Sequence, residues 1–254
     1  MRIPTYKILP ILRDNYIFVL NSEDKSNLSE NYIVVDPGEP TELKKFLKNS
    51  VHDNIKLNIL ITHHHPDHTG GLSELTRTFD CEVWGPRVSQ KRIPEIQHGL
   101  KGGDTLSLCG FHFDVLALSG HTLDHIAFFE KKQHWLFSGD VLFNYGCGRL
   151  FEGDFQLAFE SLQIIKNLPP TTQVFCAHEY TLKNISFALA RARKMKNEPL
   201  INLLNEQLHE VNQRRSNNLP TVPFPLDKDK IFNPFLVAKN VEEFKEIRIA
   251  RDLF

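Results

Sequence analysis

The sequence predicts an α/β protein, a four-layer αβ/βα sandwich followed by a small all-helical C-terminal domain. Three observations predict it. Short apolar, β-branched runs of strand length recur in two groups between Lys7 and Ala177; helical patterns fall outside those groups; and beyond His178 helical periodicity takes over. The expected division is residues 1–178 for the sandwich and 179–254 for the helical part. A chain of 254 residues, 41% of them hydrophobic, can bury a core of that size.

Lys7–Leu9, Tyr16–Leu20 and Tyr32–Asp36 read as short strands in an antiparallel meander, the last closed by the turn signal Asp36-Pro37-Gly38. Thr41 is the expected cap of a helix carrying Leu43, Phe46 and Leu47. Leu57–Ile61 is the next strand, and Leu72, Leu75 and Phe79 mark a helix after it. Glu82–Trp84, Thr105–Leu108, Phe111–Leu118, Ile126–Phe129 and Trp135–Phe137 are further strands. Asp154 is the expected cap of a helix with Phe155, Ala158, Phe159, Leu162 and Ile165 on one face, stopped by Pro169 and Pro170. Val174–Ala177 is one more buried strand. Leu182–Met195 and Leu200–Val211 read as helices, with Pro199 in a favourable first-turn position and Leu200, Leu203, Leu204, Leu208 and Val211 as an apolar stripe. Leu219–Phe235 reads as a proline-punctuated connector, and Val241, Phe244, Ile247 and Ala250 as the face of a last helix.

Composition narrows the partners. A formal net charge of -1 gives no general reason to expect nucleic-acid or membrane binding. The segment Met1–Pro10 lacks the apolar core of a secretory signal, and no stretch is long enough to span a bilayer. The 4 cysteines, Cys81, Cys109, Cys147 and Cys176, form no Cys-x-x-Cys pair, which argues against a thiolate zinc site, and their spacing does not suggest a disulfide framework. A cytoplasmic location is expected.

The chemistry is concentrated in Thr62 to Gly71, which reads Thr-His-His-His-Pro-Asp-His-Thr-Gly-Gly at a strand-to-helix corner. In an extended segment side chains alternate, so His63 and His65 point to one side and His64 to the other. Pro66 bars His65 from helical geometry and delays the helix, while Asp67 and His68 follow as a second pair of ligand types. So dense a set of ligand types suggests two metals rather than one. Gly70 and Gly71 let the backbone pass close to whatever occupies the corner. Downstream, His121, Asp140 and His178 each follow a strand end. Singly each is an ordinary loop residue; with the corner they supply the remaining donors a two-metal site needs.

The pattern His63-x-His65-x-Asp67-His68 with His121, Asp140 and His178 resembles the metallo-β-lactamase superfamily in its two-metal form. Asp14-Asn15-Tyr16, Gly139-Asp140, Gly146-Cys147-Gly148-Arg149, His178-Glu179-Tyr180-Thr181 with Asn184, and Asn233-Pro234-Phe235 are similar to its glyoxalase II, or hydroxyacylglutathione hydrolase, branch. The resemblance covers nearly the whole chain. It implies the αββα fold, a helical C-terminal domain, and hydrolysis of S-lactoylglutathione to lactate and glutathione, a step of methylglyoxal detoxification. It implies two divalent metal ions, zinc first, with iron or manganese accepted by the same ligand types. Carried over by position, His63, His65 and His121 hold one metal, Asp67, His68 and His178 the second, and Asp140 bridges them. Asp67 and Asp140 are then the catalytic carboxylates, acting with a hydroxide between the metals, which Asp67 also orients. Metal coordination brings the pKa of water down to roughly 7. Two divalent ions, two carboxylates and one hydroxide leave about one net positive charge, suited to an anionic transition state. A thiol of pKa about 8.5 leaves as thiolate without a general acid.

The resemblance also implies that Arg149, Tyr180 and Asn184 hold the glutathione moiety, Arg149 as a forked donor to carboxylate. The tail departs from the family pattern. Val237 stands where an arginine is common, so Lys239 is the expected substitute cation, with Lys228 and Lys230 before it. Asp124, in place of a common glycine, is expected to be a turn-forming loop residue. His64 and His125 are expected to be residues behind the ligands or ordinary strand residues rather than ligands, His52, His98, His112, His134 and His209 to lie in the surface or ordinary core, and Cys147 to be no nucleophile. The expected protein is a monomer acting on a small-molecule glutathione thioester. Lactonase, β-lactamase, phosphodiesterase and persulfide dioxygenase activities are the alternatives on this fold. Tyr180, Asn184 and the Asn-Pro-Phe tail argue against the first three, and the full two-metal ligand set against the last. A non-catalytic binding protein would lack a metal ligand, and none is missing.

Overall fold

The computed structural model describes residues 4–22, 30–48 and 54–254, so the expectation for His52 lies outside the described residues. The chain divides into two compact units, one running to Ala117 and including Asp124–Gln133, the other made of Leu118–Leu123 and His134–Phe254.

In the first unit, β1 (Pro4–Ile11), β2 (Asn15–Ser22) and β3 (Glu30–Val35) form the expected antiparallel meander. A helix, α1 (Thr41–Leu47), crosses over to β4 (Ile55–Leu60), which pairs with β3 in parallel. Next come α2 (Pro66–Thr69), α3 (Leu72–Thr78), β5 (Asp80–Pro86) and β6 (His98–Leu100), and the sheet runs in sequence order from β1 to β6. Leu57, Ile59 and Ile61 pack with Val34, Leu43, Leu72 and Leu75 in one core, while Leu60, pointing the other way, is equally buried. A parallel strand covered on both faces is apolar nearly throughout, which is why this strand reads as a continuous run. The same unit holds the antiparallel β7 (Thr105–Leu108), β8 (Phe111–Ala117) and β9 (Ile126–Glu130), with Phe113 and Phe128 buried.

Two local features differ from the sequence expectation. Thr41 is the first helical residue, not the cap; Pro40 holds the cap position, and the Glu39 carboxylate accepts the N–H groups of Thr41 and Glu42 at 3.0 and 3.4 Å. Pro66 opens α2 rather than delaying it, because a proline is pre-organised for a first helical turn. His65 is extended at φ -62°, ψ 146°, as the residue before a proline should be.

The second unit holds β10 (Trp135–Gly139), the hairpin of β11 (Leu142–Phe143) and β12 (Gly146–Cys147), α4 (Phe155–Lys166) and β13 (Gln173–Cys176). After them come α5 (Thr181–Lys194), α6 (Glu198–Ser216), β14 (Phe224–Pro225), α7 (Leu226–Phe232) and α8 (Val241–Asp252). β13 lies between β10, parallel, and β14, antiparallel. Asp154 caps α4 as expected, accepting from Leu157 N–H at 2.8 Å. α5 and α6 pack through Ile185, Ala188, Leu189, Leu204 and Val211. Leu203 is exposed, unlike the expected stripe, because α6 buries only a narrow face. The stretch Leu219–Phe235 is more than a connector, since it contains β14 and α7.

In α8 the inward face is Phe244, Ile247 and Arg248, and Ala250 is exposed. Positions i, i+3, i+4 and i+7 share a helix face, which continues to Arg251 and leaves Ala250 off it. Phe244 is fully buried with ring centroids 6.2 Å from Phe159 and 5.9 Å from Phe235, burial that stabilises by about 2–3 kcal/mol.

Candidate metal centre

The carboxyl end of β4 carries the histidine corner. It is held from the end of β3, where the Asp36 carboxylate accepts the Thr62 N–H at 2.8 Å and the Thr62 hydroxyl at 2.7 Å. Thr62 Oγ1 lies 3.0 Å from His63 Nδ1, and His63 Nε2 lies 3.0 Å from His65 Nδ1. The two imidazoles therefore converge, as alternation predicts. His68, fully buried on α2, has Nδ1 3.0 Å from Asp36 and Nε2 3.7 Å from Asp67 Oδ2. Asp67 in turn accepts from Asn15 Nδ2 at 2.9 Å. Gly38 makes this approach possible: a Cβ there would sit 1.8 Å from the Asp67 carbonyl oxygen.

The second unit brings His121, Asp140 and His178 together. Asp140 Oδ2 lies 3.4 Å from His121 Nε2 and 3.3 Å from His178 Nε2, and all three residues are buried. His121 Nδ1 donates to the Arg149 carbonyl at 2.7 Å. The His178 ring stacks on Tyr180, centroids 4.7 Å apart and planes at 8°. Gly148 is required here, because a Cβ would meet the Asp140 carbonyl oxygen at 1.9 Å and His121 Nδ1 at 3.2 Å.

These donors fit metal ions. A neutral imidazole that donates from Nδ1 presents a lone pair at Nε2. His121, donating to Arg149, and His68, donating to Asp36, thus turn Nε2 lone pairs toward the carboxylates of Asp140 and Asp67. Two acceptors facing each other repel, and a shared divalent cation removes the conflict. The backside hydrogen bonds to carboxylate and carbonyl are those that orient ligating histidines. The His and Asp donors, His63, His65, Asp67 and His68 in the first unit and His121, Asp140 and His178 in the second, are of the kind a binuclear divalent-metal centre uses.

The residues expected at the substrate are more scattered in character. Arg149 is exposed, with Nε 3.4 Å from Asp252. Tyr180 is half-buried against His178 and Phe143. Asn184 is buried, its amide donating to the Asn144 carbonyl at 3.2 Å and accepting from Arg251 Nη2 at 3.3 Å. Lys239 is exposed. Asp124 is not a decorative loop residue: it is 8% exposed and accepts from His64 Nδ1 and Ser89 Oγ. Cys147 is buried, and burial pushes its thiol pKa up, which agrees with its reading as no nucleophile.

Sequence reasoning missed Asp36, Arg248 and Arg251. Asp36 reads only as part of a turn. Arg248 and Arg251 are signalled by their spacing from Phe244, which puts charged residues on an inward face. Arg248 donates to the Cys147 carbonyl at 2.9 Å and lies over the Phe235 ring at 5.1 Å; Arg251 lies over Phe187 at 5.8 Å.

Residues 28–178 match the family model of the metallo-β-lactamase superfamily, and residues 179–254 that of the hydroxyacylglutathione hydrolase C-terminus. A hydroxyacylglutathione hydrolase from Bdellovibrio bacteriovorus is 43% identical over 249 residues, 97% of this chain and 96% of that protein. One from Vibrio campbellii is 43% identical over 242 residues, 95% of this chain and 89% of its own length. The solved structure of ETHE1 from Myxococcus xanthus, 20% identical, shares the fold with a TM-score of 0.67 over 96% of this chain and 90% of that one. The fold is thus the αβ/βα sandwich of the metallo-β-lactamase superfamily with a helical C-terminal region, as the sequence predicts. Within that superfamily the chain belongs to the hydroxyacylglutathione hydrolase family.

Proposed function

We propose that the protein is a binuclear metal-dependent thioesterase that hydrolyses S-(2-hydroxyacyl)glutathione, chiefly S-lactoylglutathione, to the 2-hydroxy acid and glutathione. His63, His65 and His121 would hold one metal and Asp67, His68 and His178 the other, with Asp140 as a further ligand. The observation that carries this reading is Asp140 Oδ2, set within 3.4 Å of the Nε2 atoms of two histidines. Zinc is the first choice, with iron or manganese accepted by the same ligands.

When bound, the ions supply Lewis acidity that brings the pKa of water to about 7 and polarises the thioester carbonyl. The chain's own residues set the geometry. Asn15 fixes the Asp67 carboxylate, which orients the attacking water. Asp36 and the Arg149 carbonyl fix the tautomers of His68 and His121. The leaving thiol, of ordinary pKa about 8.5, departs as thiolate, so no side chain need protonate it.

Residues 179–254 are the substrate-binding part. Tyr180, beside His178, and Asn184 contact the peptide, and Arg149 and Lys239 remain candidates for its carboxylates. Arg251 joins them because it reaches Asn184 and lies half-buried on an aromatic ring, where a carboxylate interaction is screened least. No helix among the described residues is long and apolar enough to cross a membrane. A cytoplasmic monomer is the proposed state, which sedimentation equilibrium tests for its oligomeric part.

The discriminating experiment follows thioester absorbance with S-lactoylglutathione, and assays a lactone, a β-lactam, a phosphodiester and glutathione persulfide beside it. Turnover of the thioester far above the other four supports the proposal. A preference for any of the others overturns it.

A further inference from the structure

Residues 61–65 lie outside helices and strands, and the last ladder bond before the corner is the Ile61 N–H to the Trp84 carbonyl at 2.8 Å. Three consecutive residues lie along it in antiparallel order. Ile126 N–H donates to the Thr62 carbonyl at 2.9 Å, the His125 ring stacks on His63 at 4.7 Å and 21°, and Asp124 accepts from His64 Nδ1 at 2.9 Å. The other Asp124 oxygen accepts from Ser89 Oγ, on the short 3₁₀ turn Arg87–Ser89. Asp124 and Ser89 are 8% and 4% exposed. A carboxylate this buried is costly unless its oxygens are hydrogen-bonded, and here each has a donor.

We propose that Asp124 is a positioning residue: it ties His64 to Ser89 and so holds the flanking His63 and His65 ready for metal. The inference rests on the assignment of His63 and His65 as ligands. His64 sits between them, and fixing its ring restricts the two peptide units that aim its neighbours. The Ile126 N–H and His125 hold Thr62 and His63, the His65 carbonyl accepts the N–H groups of His68 and Thr69 at 3.0 and 3.2 Å, and Asp124 is the latch on His64 between them. Groups that orient metal ligands from behind change metal affinity without touching the ion.

The test uses the full chain stripped of metal and titrated with zinc against a chromophoric chelator. Three variants are compared: Asp124→Gly, Asp124→Asn and Ser89→Ala. Asp124→Gly removes the latch and should raise the zinc dissociation constant about tenfold. Asp124→Asn keeps an oxygen for His64 and an NH2 for the Ser89 hydroxyl oxygen, so it should bind zinc close to wild type. Ser89→Ala, which leaves the corner's own residues intact, should fall between them. In the fully loaded proteins the Michaelis constant should not change. Equal affinity in wild type and Asp124→Gly overturns the latch alone, as does an Asp124→Asn variant as weak as glycine. Loss of a third zinc equivalent on substitution makes Asp124 a ligand and likewise overturns it. A wild type that takes up no zinc overturns the metal assignment itself, and the latch with it.

Discussion

Asp36 and His68 are joined by a 3.0 Å contact between Oδ2 and Nδ1, and the same carboxylate accepts two hydrogen bonds from Thr62. One side chain at the end of β3 therefore fixes both the start of the histidine corner and the histidine on α2. Replacing Asp36 with Ala leaves the buried Thr62 N–H without this acceptor and releases the His68 ring. The expected cost is roughly 3 kcal/mol of stability, read by urea unfolding of the metal-free protein. Zinc affinity should fall by about 10- to 100-fold. Unchanged values for both would show that Asp36 holds neither the corner nor the His68 ring.

Gly148→Ala should be among the most damaging single changes. Its Cβ would stand 1.9 Å from the Asp140 carbonyl oxygen, backbone that cannot step aside without moving Asp140. Metal content and turnover should drop together while far-ultraviolet circular dichroism stays near wild type. A fully loaded, active variant would show that this approach has no functional weight.

Asp229 gives the protein a pH dependence apart from the metal chemistry. It is buried, accepts from Tyr145 N–H at 2.8 Å and Asn233 Nδ2 at 2.7 Å, and burial raises its pKa from 3.8 to about 7. The folded state thus holds this proton more tightly than the unfolded chain. Its contribution to stability is fully present below pH 3.8 and is lost as pH rises through about 7. Urea midpoints of the wild type should fall between pH 5 and pH 8, and the fall should be smaller in Asp229→Asn. Parallel curves for the two proteins would contradict the assignment.

Much of this architecture is legible in the sequence, for physical reasons that also mark the limits. The β4 strand stands out because both its faces are buried, and the corner after it because ligand types are so dense there. The convergence of His63 and His65 follows from alternation alone. Asp36 is invisible because its partners are 26 and 32 residues away, and Asp-Pro-Gly is an adequate turn without them. Asp124 misleads for the same reason: a loop aspartate reads as a turn former, and only the fold brings Ser89 and His64 to it. In α8 the small Ala250 is taken for the inward residue in place of Arg248 because alanine is apolar, yet the guanidinium finds carbonyl acceptors in the core.

The tail offers a test of substrate recognition. Val237 is 41% exposed, so an arginine fits there without repacking. Val237→Arg should lower the Michaelis constant for S-lactoylglutathione a few-fold, and Arg251→Ala should raise it, both with a small effect on kcat. An effect confined to kcat would place these residues outside ground-state binding.

The proposed hydrolysis of a glutathione thioester depends on two metals held by the His and Asp set. The most direct measurement is S-lactoylglutathione turnover against zinc content, in wild type and in His65→Ala. Activity should appear only as two zinc ions are bound per chain, vanish on chelation and return on reloading. In His65→Ala one metal should be weakened and turnover lost. Turnover that persists without metal, or in a His65→Ala protein at wild-type rate, would contradict it.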